Sequence, residues 1–262
     1  MISFSRKNIV RKERRLYQGY RVLNRDFDRR NLDAVIRILT WSARNMKSPK
    51  MMHFVLEITD FDIFQTNRFI QRFKEKFSSH MRQRNNIRNK QMPEDKRIKL
   101  PELQLIYSIE TKWLNAYLYH HLHLMVIVDT NYNDYGHREI MIAVNRTLSN
   151  INGLDSLYFD SIKAIFFKEN IQLNNGFLKY RNENSSVKIG TFKQLFWHDL
   201  KTELPDAVCR ASYLCKLDQK ELLPDKFKRG NSFGHTRPKI DIPKQKNKLP
   251  SSLEIGTQLK FQ

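Results

Sequence analysis

The sequence predicts one large domain, or a domain plus extensions, that mixes packed helices with paired strands, and three observations carry that expectation. Apolar residues recur at helical spacing over 31–46 and again over 63–81. Runs of β-branched and aromatic residues of strand length occupy 51–61 and 103–110, and a longer apolar run, 119–128, follows shortly after the second of these. Two strands so close in sequence pair most simply as a hairpin. With 262 residues the chain is long enough to bury a sizeable core and to fold unaided.

From Arg6 to Arg30 arginine and lysine dominate, with Tyr17, Tyr20 and Phe27 interleaved. This segment reads as a basic helix, an arm or a solvated leader, and its charge favours DNA contact. Leu32, Val35, Ile36, Leu39 and Ala43 place the first packed helix over 31–46, stopped before Ser48-Pro49. The run 51–61 is the first core strand, closed by a turn at Asp60-Phe61-Asp62. Phe64, Phe69, Ile70, Phe73 and Phe77 then share one stripe of a helix over 63–81, a face suited to covering a sheet. Residues 82–99 have no period and carry Arg82, Arg84, Arg88 and Lys90, which predicts an exposed, mobile loop.

Beyond the hairpin, Ile140, Ala143, Val144 and Leu148 predict a helix over 137–151, and a strand is expected at 162–167. A polar, Asn-rich loop should fill 170–186, and Thr191 opens a helix with Phe192, Leu195, Phe196 and Leu200 on one face. Pro205 ends or restarts that pattern, and 207–220 make a second short helix. After Pro224 the composition turns to Lys, Pro, Ser and Asn without hydrophobic period. The expected organisation is a basic arm and helix at 1–47, a main domain at 48–224, and a basic, extended or disordered tail at 225–262.

Charge narrows the function. The 47 Lys+Arg against 27 Asp+Glu give a net charge of +20, so the partner should be a polyanion. No stretch approaches the ~20 apolar residues of a membrane span, and the basic start lacks the apolar segment of an export signal, which favours nucleic acid over a membrane. Cys209 and Cys215 are too few for a disulfide framework or a four-thiolate zinc site, and a reducing cytoplasm fits best. No GxxxxGK[ST] loop is present, which argues against an NTPase.

Chemistry concentrates in two places. In a strand over 119–128, His121 and His123 stand on one face while Leu122 and Leu124 stand on the other. Such a pair is either a satisfied pair of core or surface imidazoles or half of a divalent-metal site with positions left for water and substrate. Glu110 ends the neighbouring strand, either as an ordinary charged strand end or as the third, hard-oxygen ligand that Mg²⁺ or Mn²⁺ prefers. In the second place, Tyr213 and Lys216 lie on adjoining ridges if their segment is helical, together with Lys220 or Leu217. Tyr213 is then a surface residue of an amphipathic helix or, beside an ammonium and a metal-polarised phosphodiester, a nucleophile.

These residues resemble the motifs of the inovirus-type and prophage-encoded replication initiators, within the HUH endonuclease (rolling-circle Rep and relaxase) class. His121-Leu122-His123 resembles the His-hydrophobe-His motif, and Tyr213-Leu214-Cys215-Lys216-Leu217-Asp218 is similar to the family's YLAK-x-D segment, with Cys215 where the family has alanine and an extra His120 before the pair. Asn231 to Arg237 is similar to a Phe-Gly-x-Ser/Thr-Arg segment that often follows. The resemblance covers roughly 51–237.

It implies an α+β fold, RRM-like, with a central antiparallel sheet, helices mainly on one face and the site on the open face. It further implies Mg²⁺ or Mn²⁺ held by His121, His123 and Glu110, attack by Tyr213 on origin DNA that is single-stranded or melted, and a 5′-phosphotyrosine intermediate. Lys216 would stabilise phosphate or phenolate charge, and Asp218 and His120 would stand behind the ligands. A second tyrosine, if used, would come from Tyr107, Tyr117, Tyr119 or Tyr180. Arg82, Arg84, Arg88, Lys90, Lys220 and Arg237 would hold DNA phosphates. A host helicase and polymerase would be partners in a bacterial cytoplasm. The rival readings are a non-catalytic RRM-like binding module and a metal-dependent hydrolytic nuclease.

Overall fold

The computed structural model describes residues 9–10, 15–58, 60, 63–114, 117–131, 135–152, 154, 163–166, 169–174, 177–181, 187–191, 198–218, 220, 222–228 and 232–238. Among the described residues the N-terminal segment is neither a helix nor a free arm, and 1–8 and 11–14 lie outside them. It holds β1 (Ile9–Val10), the tight hairpin β2 (Leu16–Tyr17) and β3 (Tyr20–Arg21), and β4 (Phe27–Asp28), which pairs with β1. Gln18 and Gly19 turn that hairpin with φ of 49° and 80°, the left-handed pair that matches strand twist in a two-residue loop. Asp28 then caps α1 (Arg29–Asn45) by accepting from Asn31 N at 3.1 Å.

The chain continues through β5 (Pro49–Glu57), α2 (Thr66–Asn89), a 3₁₀ turn at Glu94–Lys96, β6 (Leu103–Leu114), β7 (Tyr117–Asp129) and α3 (His137–Leu148). Next come β8 (Lys163–Phe166), β9 (Glu169–Asn174), β10 (Phe177–Arg181), β11 (Val187–Thr191) and β12 (His198–Asp199), then α4 (Leu204–Ser212), α5 (Asp225–Lys228) and β13 (Phe233–His235). The fold is α+β. Among the described residues its main sheet has nine strands in the order β11-β10-β9-β8-β5-β7-β6-β13, with β12 also on β5, and every pairing there is antiparallel.

Several expectations are corrected. Residues 82–89 are the last two turns of α2, not a loop. The segment expected as an Asn-rich loop contains β9 and β10, and β11 follows them in an antiparallel meander. Thr191 closes β11 instead of opening a helix, and the rest of that expected helix, 192–197, lies outside the described residues. Pro205 restarts a helix: it sits in the first turn of α4, where its missing N–H costs nothing. Of the tail expected past 224, the described part joins the domain, since β13 pairs with β6 and Thr236 N donates to Leu105 O, and 239–262 lie outside the described residues. The arm at 1–47 is no separate unit, because α1 packs on the sheet.

The sheet is covered on both faces, not mainly on one. Alternation sends Phe54, Leu56, Leu105, Ile109, Leu122 and Leu124 to the face where Phe69, Phe73 and Phe77 of α2 and Ile140 and Val144 of α3 pack. Met51, Ile106, Met125 and Ile127 go to the other face, under Leu32, Val35 and Leu39 of α1 and Val208 and Ala211 of α4. Each such buried side chain contributes about 1.5–3 kcal/mol over an exposed one.

Candidate metal centre

Strand register brings the polar residues together. Glu110 on β6 stands directly across from His121 on β7, and Ser108 across from His123, so Glu110, His121 and His123 share one face and one layer. All three are buried at 3% exposure or less, within the half of that face which α1 and α4 leave to the turn after α4. Glu110 Oε2 lies 3.1 Å from His123 Nε2 and 3.5 Å from His121 Nε2. One ligand atom from each residue falls within 4.8 Å of the others, and among the described residues this is the group of its kind able to hold a metal ion. A carboxylate and two imidazoles in that arrangement fit a divalent cation.

The turn after α4 supplies the roof. Tyr213 to Cys215 form a 3₁₀ turn rather than more α-helix, and residues three apart in such a turn lie over one another. Lys216 therefore reaches back over Tyr213, with Nζ 3.6 Å from the ring centroid and 2.8 Å from Glu110 Oε2. The Tyr213 ring lies 4.9 Å from the His123 ring, edge to face. The N-terminal segment clamps this turn: Phe27 bridges Lys216, Leu217 N donates to Asp26 O at 3.0 Å, and Leu23 N donates to Ser212 Oγ at 3.3 Å. Cys215 is fully buried beneath it, with a thiol that burial pushes up and keeps protonated, so it fills the space of a small apolar residue.

Burial alone would raise the carboxyl of Glu110, but His123, His121 and Lys216 outweigh it and hold Glu110 well below its usual range, hence ionised. Burial pushes Lys216 down while Glu110 pulls it back up. Tyr213 is raised, first by burial, then by Glu110 and Asp218. The phenol is thus protonated at neutral pH.

No known protein family, curated protein or solved structure matches the chain. The site is therefore read from its own geometry.

Glu110, His121, His123, Tyr213 and Lys216 come together. His120 does not join them: its side chain is on the opposite face, where Nδ1 lies 2.8 Å from Thr111 Oγ1. Asp218 stands at the half-exposed rim, 3.6 Å from Arg25. Tyr107 faces away from the site, under α2, where its hydroxyl donates to Thr66 O and burial raises it to about 12. The side chains of Tyr117, Tyr119 and Tyr180 lie outside the described residues.

Lys220 is a correction as a DNA contact. It is buried, with Nζ 5.8 Å from the Phe233 ring centroid, and offers no charge to solvent. Arg82, Lys90 and Arg237 are exposed, whereas Arg84 and Arg88 both reach Glu139 of α3. The arginines of α2 lie across the sheet from Glu110, since α2 packs on the other face.

The sequence reading missed His53. It lies on β5 one register step from His123, and its Nε2 shares a hydrogen bond with His123 Nδ1 at 3.1 Å. A lone histidine in a strand carries no paired signal; only the β5–β7 register brings it here.

Proposed function

We propose that the chain is an HUH-type DNA strand transferase, an RRM-like initiator that nicks and rejoins single-stranded DNA at a rolling-circle origin. The observation that supports this most is the meeting of Tyr213 and Lys216 with the buried Glu110-His121-His123 group, because a phenol, an ammonium and a metal-binding triad are what phosphotyrosyl transfer needs.

His121, His123 and Glu110 would hold Mg²⁺ or Mn²⁺, which when bound supplies positive charge to the scissile phosphate and lowers the barrier to attack. Tyr213 Oη attacks phosphorus in line, forming the tyrosyl O–P bond as the bond to the 3′ oxygen breaks. The phenol loses one proton and the 3′ oxygen gains one, leaving a 5′-phosphotyrosine and a free 3′-hydroxyl. The same bond energy serves rejoining without a nucleotide. Burial and then the charges of Glu110 and Asp218 raise the phenol, and Lys216, touching both Glu110 and the Tyr213 ring, would stabilise phenolate as it forms. Asp218, paired with Arg25 at the rim, helps set the reach of the turn.

Arg237 supplies exposed charge for DNA phosphates, Arg82 and Lys90 would add to it only where the strand runs on past the face away from Glu110, and the net charge of +20 supports a polyanionic partner. On this reading a host helicase and polymerase complete the reaction in a bacterial cytoplasm. No described helix is long and apolar enough to cross a membrane.

The test is incubation of the full chain with Mn²⁺ and origin-type single-stranded oligonucleotides, followed by a denaturing gel. A covalent adduct is expected, and Tyr213→Phe should abolish it. An adduct that survives Tyr213→Phe rules out the nucleophile. Cleavage without adduct points to a hydrolytic nuclease, and binding without cleavage across a panel of origins points to a binding module.

A further inference from the structure

His53 is 1% exposed on β5, with Met51 two positions before it on the same face and Met125 across from it on β7. Burying an imidazole there costs free energy that a leucine would avoid, unless the ring is hydrogen-bonded to a purpose. Its Nε2 meets His123 Nδ1 at 3.1 Å, while the other nitrogen of His123, Nε2, faces Glu110 Oε2 at the same distance. The His123 ring is thus held between two partners, one on each nitrogen.

A histidine can give a lone pair to a metal from Nε2 only if its proton is on Nδ1, and something must accept that proton. We propose that His53 is a positioning residue, accepting the His123 Nδ1–H at its own Nε2 and so fixing the tautomer and ring orientation that aim His123 Nε2 at the metal. The inference rests on the metal centre proposed above. It assigns His53 a role behind the ligand, with no contact to metal or DNA. The direction of the hydrogen bond follows: His123 donates, His53 accepts, and the His53 proton sits on Nδ1.

Two measurements on the full chain test it. The first is nitrogen-15 NMR of the imidazoles in wild type loaded with Mg²⁺, which is diamagnetic, and it separates the two neutral tautomers by shift. His123 is expected with its proton on Nδ1 and His53 likewise; a proton on His53 Nε2 beside metal-bound His123 overturns the proposal and needs no variant. The second is Mn²⁺ affinity, by electron paramagnetic resonance of the free ion, for wild type, His53→Phe and His53→Gln, each checked for folding by circular dichroism. His53→Phe removes the acceptor and should weaken Mn²⁺ by about 10–100-fold. His53→Gln, whose carbonyl can accept, should recover most of that loss, which a role in packing alone would not produce. Unchanged affinity in a folded His53→Phe sinks the positioning role while leaving the metal centre standing. Failure of wild type to bind Mn²⁺ sinks both.

Discussion

Acid should find the buried imidazoles before it finds the carboxylate. His53 is held well below its ordinary value of 6.5, first by burial and then by His123 and Arg210, and burial lowers His123 too. Both are neutral in the fold and gain protons more readily when unfolded, so their contribution to stability is complete above about pH 6.5 and is lost as the pH falls below it. Glu110 is depressed from 4.5, so its contribution is present above that value and is lost only in stronger acid, as pH falls through its folded value. For the metal-free protein, the unfolding free energy from urea denaturation should be level from pH 8 to 7 and then drop, by up to about 1.4 kcal/mol per pH unit for each histidine, with the midpoint falling in step. A midpoint unchanged down to pH 5 would contradict the burial of neutral imidazoles. At this scale the sequence revealed the residues whose partners are set by local spacing. His121 and His123 declare themselves two apart in one strand, and Glu110 meets them because consecutive strands pair. Tyr213 and Lys216 also meet as expected, but through a 3₁₀ turn in place of a helix face. His53 needed the pairing of β5 with β7, a contact across seventy positions, and nothing local encodes it.

The far end of α2 shows why one element was misread. Its inward ridge runs Phe69, Phe73, Phe77, Met81 and then Asn85, so the apolar period stops while the helix goes on. Asn85 is buried because the turn before α3 and the segment before β6 supply polar partners: its Nδ2 donates to the Tyr135 hydroxyl at 2.7 Å and lies 3.4 Å and 3.3 Å from the carbonyls of Ile98 and Lys99. Asn89 extends the link by donating to Ile98 O and accepting from Ile98 N, both at 2.9 Å. Polar helix packing of this kind is invisible to a hydrophobic period. Asn85→Ala should therefore cost about 1–3 kcal/mol, the penalty of stranding buried partners, and not the few tenths expected of a loop residue. Equilibrium denaturation measures it, and hydrogen exchange should place the loosening in 82–99. The β9–β11 meander was missed because its strands are short: the alternation of Ile171 with Leu173 and of Val187 with Ile189 covers only two apolar positions in each.

Over the whole molecule, the domain extends further along the chain than composition indicates, because the short segment 233–236 is bound by strand pairing and not by a hydrophobic stripe. Gly234 faces Tyr107, and a Cβ there would collide with the Tyr107 ring, so the ring lies directly over the glycine backbone. Ile109 N donates to Ser232 O at 2.7 Å, and Thr236 Oγ1 both accepts from Leu105 N and donates to Gln104 Oε1. Together these groups occupy the outer hydrogen-bonding edge of β6 from Leu105 to Ile109. An open edge of that length is a template for another chain. Gly234→Val should dislodge the segment at a cost of about 1–3 kcal/mol, and the displaced protein should self-associate as its concentration rises, which light scattering would detect; a variant that stays monomeric at high concentration would speak against it. Phe233-Gly234-His235 thus stand where a second chain would pair, so the residues that close this side of the sheet also compete with a neighbour for it.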